Sequence, residues 1–99
     1  MNDKELEIIK NILKSKKEFL KNNYKVKDIK IFGSYARKEQ TAKSDIDILV
    51  EFEKPISLIK FIELENYLSS ILGKKVDLVS KKALKKNIRK RILTEAIDL

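Results

Sequence analysis

Chemistry in this chain has to come from carboxylates, hydroxyls and amines. Among its 99 residues there is no histidine and no cysteine, which removes the commonest general base, thiolate metal sites and disulfides. Two aspartates, Asp45 and Asp47, flank a single isoleucine, and a third, Asp77, stands between Val76 and Leu78. If both runs are strands, side chains alternate: Ile46, Ile48, Val50 and Phe52 point to one face while Asp45 and Asp47 share the other. The Cα atoms of those two aspartates are then roughly 6.6 Å apart, so both side chains can lean toward one ion. Should the Asp77 strand lie alongside, three carboxylates converge. Without a cation they would repel and raise one another's pKa. Oxygen-only ligands suit Mg²⁺, with Mn²⁺ as an alternative, and such sites leave coordination positions for water and substrate phosphates. The expected chemistry is metal-assisted transfer on a nucleotide.

Gly33 and Ser34 precede Asp45 by ten intervening residues. The glycine lets the backbone approach a phosphate closely, and the serine offers a hydroxyl and opens a short helical segment whose free N–H groups favour an anion. For this turn to meet Asp45, the end of the first strand must lie near the start of the second, which makes those two strands antiparallel. Arg37, one turn on, faces the triphosphate or a partner, or balances Glu39 and Glu51 at the surface. Tyr35 is read as packing the turn onto the sheet, with base stacking or acceptance of the transferred group as the alternatives. A lone Asp-x-Asp on a strand is most often a solvated edge; here the preceding glycine-serine turn and the repeated apolar-Asp-apolar pattern at Asp77 favour a site.

The elements that must position these groups follow from periodicity. Apolar residues Leu6, Ile9, Leu13 and Leu20 recur at helical spacing behind a capping-type Asp3, giving a helix to about Asn22. Val26 to Phe32 reads as a strand ending at Gly33, Ser34 to Lys38 as one or two helical turns, and Glu39 to Ser44 as a polar loop. IDILVEF is the second strand. Pro55 breaks the pattern, and Ser57 caps a helix to Leu72 with Leu58, Phe61, Ile62, Leu64, Leu68 and Leu72 on its buried side; Gly73 ends it. KKVDLVS is the third strand, and a final helix runs from Lys81 to Ala96. The order αβαβαβα predicts a single α/β domain over residues 1–99, with a three-stranded mixed sheet and about four flanking helices. Its second and third strands, joined by a full helix, are expected to be parallel.

The composition fits an ordered, helix-rich domain: 42% apolar and 38% charged, with two glycines and one proline. No apolar run approaches the ~20 residues that cross a bilayer, and the N-terminal decapeptide lacks the apolar core of a signal peptide, so a cytoplasmic protein with no membrane role is expected. The net charge of +8 attracts polyanions or an acidic protein surface. The same excess also fits the charged surface of a heat-adapted protein. Lys81, Lys82, Lys85, Lys86, Arg89, Lys90 and Arg91 concentrate it near the C-terminus, as a partner dock or as an ordinary solvated helix face. Nucleic acid is an admissible partner but not the favoured one.

The run GSYARKEQTAKSDID (33–47), followed by the strand aspartate Asp77, resembles the nucleotidyltransferase superfamily of the DNA polymerase β type, and nearly all of the chain is similar to its minimal nucleotidyltransferases. Several members of that group are antitoxins that silence HEPN-domain RNase toxins by transferring AMP from ATP to a toxin tyrosine. The resemblance implies that Asp45 and Asp47 are the catalytic carboxylates holding two metal ions, that Asp77 completes one metal site, and that Gly33 and Ser34 hold the triphosphate, with Arg37 as a further phosphate ligand. It implies an Mg²⁺-dependent protein adenylyltransferase with ATP as substrate and a cognate HEPN toxin as partner, the antitoxin of a type VII toxin–antitoxin system. Transfer to a small molecule or an RNA end, and a non-enzymatic module that masks a toxin, are the alternatives. One departure from the family pattern is Lys38, where a glycine often follows the arginine; this bears on the loop's geometry.

Overall fold

A computed structural model of the chain describes residues 3–99. Helix α1 (Asp3–Ser15) carries Leu6, Ile9 and Leu13 into the core at the spacing its sequence prescribes. The Asp3 side chain, expected to cap this helix, lies outside the described residues. The single long helix expected here is two: Lys16 adopts φ −103°, ψ 3°, and α2 (Lys17–Tyr24) restarts after it. Leu13 and Leu20, seven residues apart, are both fully buried across that bend, so one residue off the helical geometry leaves the apolar stripe intact and escapes a periodicity argument. Lys25 then turns the chain in the left-handed region, φ 59°, into the sheet.

The sheet is built from β1 (Val26–Phe32), β2 (Ile46–Phe52), β3 (Val76–Ser80) and a short β4 (Ile97–Asp98), in spatial order β3-β2-β1-β4. β1 and β2 are antiparallel and β2 and β3 parallel, as the positions of the glycine turn and the crossover helix require. The expected three strands are corrected to four: β4 pairs antiparallel with β1 through Lys30 and Ile31. Two residues are too few to show alternation, and β4 is secured by the ion pair of Lys30 with Asp98 and by Lys17 Nζ donating to Leu99 O at 2.7 Å.

Helix α3 (Leu58–Leu72) starts at Ser57, whose hydroxyl accepts from Lys60 N at 3.1 Å, and ends at Gly73 with φ 66°. Leu64 and Leu68 are fully buried and Phe61 and Leu72 pack at the core's margin. Leu58 and Ile62, expected on the buried side, are instead 72% and 46% exposed, while Phe61 of the same first turns packs against Phe52. The expected final helix is shorter, a 3-10 turn (Lys81–Ala83) followed by α4 (Lys86–Glu95). Ile46, Ile48 and Val50 on one face of β2 are fully buried with Ile29, Ile31 and Tyr35 in the main core. Leu49, on the opposite face, and Ile92 of α4 are buried outside that core. Among the described residues no helix is long and apolar enough to cross a membrane.

Candidate active site

The three aspartates lie where β2 and β3 begin. Asp47 and Asp77 are register partners across the parallel pair, so their side chains leave the same face of adjacent strands, whose spacing is about 4.8 Å. Asp45 immediately precedes β2; the pairing reaches back to it, since Ile46 N donates to Lys75 O at 2.9 Å. Lys75 Nζ stands 4.0 Å from Asp45 Oδ2. Asp45 and Asp77 are exposed, whereas Asp47 is half-buried. Burial, with the negative charges of Asp77 and Asp45 adding to it, holds the Asp47 carboxyl above the usual carboxylate range, and Arg37 only partly counters this.

Gly33 is fitted to this aspartate. It follows Phe32, the β1 partner of Asp47, and turns the chain with φ 74°; a Cβ added there would overlap Asp47 Oδ2 and come within 2.9 Å of Cγ. Only a residue without a side chain lets the strand end and the carboxylate share this space. The segment after it is a single helical turn rather than a helix: Arg37 N donates to Gly33 O at 3.0 Å, Lys38 N to Tyr35 O at 3.3 Å and Glu39 N to Ser34 O at 2.8 Å. Those last two bonds, with Lys38 at φ 59°, form a Schellman closure. This is a backbone geometry that suits glycine, and Lys38 adopts it at some strain. Ser34, half-buried, opens the turn beside Asp47, where first-turn amides have no helical acceptor.

Tyr35 is fully buried, donates its hydroxyl to Glu5 Oε2 at 3.0 Å and lies under Lys74, whose Nζ is 3.6 Å from the same oxygen. Burial raises its phenol pKa further. This is the packing role, and it removes base stacking and AMP acceptance from consideration. The Arg37 guanidinium is bound by Glu39 Oε1 and Glu95 Oε2, each at 3.0 Å. The expected partner Glu51 pairs instead with Lys27 and Lys81.

Two positioning residues escaped sequence reasoning. β3 is an edge strand, and α3 closes its free edge: Ser69 Oγ accepts Val76 N at 3.0 Å and Glu65 Oε2 accepts Leu78 N at 2.9 Å. Asp77 lies between these two bonds, so α3 fixes the backbone that presents it. The signal in the sequence was faint, a polar i,i+4 pair flanking the buried Leu64 and Leu68.

The donor set fits a hard divalent cation. Three carboxylates at one sheet end, with the pKa of Asp47 raised by burial and by the other two, form a locally negative spot in a basic chain. As the side chains stand, no three acidic groups among the described residues are gathered closely enough to hold a metal ion. Asp47 and Asp77 are register partners on adjacent strands with Asp45 two residues before Asp47; closure around an ion requires the three side chains to draw together.

Comparison with known proteins agrees with this fold. Residues 7–99 match the family described as Nucleotidyltransferase domain. The protein adenylyltransferase MntA of Thermococcus cleftensis is 50% identical over 92 residues, 93% of each chain. A relative in Methanocaldococcus jannaschii, MJ1217, provisionally named a protein adenylyltransferase, is 55% identical over 92 residues, 93% of this chain and 94% of its own. Among solved structures, a minimal nucleotidyltransferase superposes with a TM-score of 0.75 at 34% identity, covering 92% of this chain and 88% of that one. A chain of a toxin–antitoxin complex with AMP-PNP gives 0.70 at 27% identity, covering 99% and 72%. A chain from the complex of a tri-AMPylated Shewanella oneidensis HEPN toxin with its MNT antitoxin gives 0.67 at 26%, covering 91% and 70%. Family match, carboxylate pair and glycine turn lead to one conclusion: this chain belongs to the nucleotidyltransferase family and is similar to its protein adenylyltransferases.

Proposed function

We propose that this chain is an Mg²⁺-dependent adenylyltransferase that moves AMP from ATP to a protein hydroxyl, a tyrosine of a cognate HEPN RNase toxin, and acts as the antitoxin of that pair. The observation that carries the chemistry is the interlocking of Gly33 with Asp47 and of Asp47 with Asp77. It sets a turn whose first amides have no helical acceptor against a cluster of carboxylates, an anion site beside a cation site. The names of the similar proteins support the protein acceptor and the toxin partner.

In this reading Asp45, Asp47 and Asp77 hold the divalent cation, two ions in the full scheme, and relieve their mutual repulsion by doing so. Bound Mg²⁺, or Mn²⁺ in its place, supplies neutralisation of the triphosphate and acidification of the acceptor hydroxyl. The amides after Gly33 and the Ser34 hydroxyl bind the triphosphate and orient it against the carboxylates. Arg37 joins them on exchanging Glu39 or Glu95 for a phosphate oxygen, which its half-exposed position allows. Asp77, set by Glu65 and Ser69, faces the acceptor hydroxyl and takes part in its activation. The domain is the single unit 1–99, and the protein works in the cytoplasm.

Incubation with α-labelled ATP, Mg²⁺ and either a candidate HEPN protein or bulk RNA tests this. Label on the protein, lost in Asp45→Asn/Asp47→Asn, is the expected outcome. Label on RNA, or protection from the toxin undiminished by that double variant, would replace it with an RNA-modifying or a masking role.

A further inference from the structure

At the other end of β2 and β3, roughly 16 Å along the strand from Asp47 to Phe52, the surface is concave. A pocket of about 550 Å³ opens there on a floor that includes Phe52, Pro55, Leu58 and Phe61. Lys54, Lys82 and Arg89 line it as well, and among the described residues none of the three forms an ion pair. Arg89 donates Nη2 to Leu84 O at 3.2 Å, and its Nε is shielded from water without an acceptor. Of the two acids at the rim, Glu51 is already engaged by Lys27 and Lys81, which leaves Glu53 against three cations. The apolar surface continues out of the pocket along the first turns of α3, where Leu58, Ile59 and Ile62 are 72%, 71% and 46% exposed.

Each part of this surface excludes an occupant. A small polyanion would use the cations but leave Leu58, Ile59 and Ile62 in water. A second copy of the chain in a two-fold contact would set Lys54, Lys82 and Arg89 against their own counterparts, which like-charge repulsion opposes. A flat bilayer surface would cover the α3 strip and leave the concavity unfilled. An apolar side chain projecting from a helix, flanked one turn away by carboxylates, matches the floor, the strip and the rim together.

We propose that this pocket and the adjoining α3 strip dock an acidic, amphipathic helix of the acceptor protein, gripping it at a distance from the transfer site. The proposal rests on the protein-acceptor reading above. Docking here gives a short chain a second hold on its substrate, so that the modified hydroxyl is delivered by a partner already bound.

Calorimetric titration with a candidate HEPN-domain protein tests it, with wild type, Leu58→Asp and Lys54→Glu/Lys82→Glu compared. All three altered side chains are on the surface and outside the transfer site, so melting temperature and Mg²⁺-ATP binding should match wild type. Both variants should bind the partner at least tenfold more weakly, and the double variant should lose most of the salt dependence. Unchanged affinity in both variants, with wild type still labelling the partner, overturns the dock and leaves the protein-acceptor reading standing. No labelling by wild type overturns both. Binding to phosphatidylserine vesicles that both variants abolish, with partner affinity unaltered, reassigns the surface to a membrane and overturns the proposal.

Discussion

Replacing Gly33 with alanine probes the contact that joins the turn to the carboxylates. Two separable costs follow from the geometry. The backbone at φ 74° is left-handed, which costs a residue with a Cβ about 1–2 kcal/mol. The added methyl would also overlap the Asp47 carboxylate, and forcing an atom into filled space costs about 1–3 kcal/mol. Together they amount to about 2–5 kcal/mol, a large share of the ~5–15 kcal/mol that stabilises a domain of this kind. The two are told apart in an Asp47→Ala background, where only a Cβ remains, 3.1 Å from the new methyl, close enough to be absorbed by a small backbone shift. There Gly33→Ala should cost only the conformational part, about 1–2 kcal/mol. Urea denaturation of the four proteins measures the coupling, expected at about 1–3 kcal/mol. Equal costs in both backgrounds would refute the contact and remove the reason for a glycine beside Asp47.

Other consequences can be measured on the same material. Because burial and like charge raise the Asp47 pKa, the folded, metal-free protein keeps this proton to higher pH than the unfolded chain; stability from it is full below the ordinary carboxylate range and is lost as pH rises through the folded pKa. Asp47→Asn should therefore be more stable than wild type in EDTA at neutral pH, with the advantage vanishing in acid, as thermal melts across pH would show. Glu65→Ala leaves Leu78 N–H without its acceptor, at about 1–3 kcal/mol; amide exchange at Leu78 should accelerate and transfer should fall, while Glu65→Gln restores both. Lys38→Gly relaxes the φ 59° backbone and should raise stability by up to about 1 kcal/mol, measured by chemical denaturation.

Much of this arrangement is written in local sequence. β1 and β2 run over the residues that alternation and the bounding Gly33 assign to them, and the antiparallel and parallel pairings follow from where the turn and the crossover helix must lie. Asp47 and Asp77 coincide because both interrupt buried apolar runs at the same register. Features set by tertiary contact were not legible. The bend at Lys16 preserves the apolar stripe, and β4 is too short for a pattern. Leu58 is exposed although it belongs to the apolar pattern of α3, and the hold of Glu95 on Arg37 spans 58 residues of sequence. Glu65 and Ser69 look like ordinary polar positions of an amphipathic helix until β3 is seen beside them.

Isothermal titration calorimetry with AMP-PNP, in Mg²⁺ and in EDTA, asks most directly whether the carboxylates and the glycine turn form one nucleotide site. Saturable binding that needs Mg²⁺ and disappears in Asp45→Asn/Asp47→Asn, while the variant's melting remains cooperative, is the expected result. Binding of equal strength in EDTA, or retained in full by that variant, would contradict it.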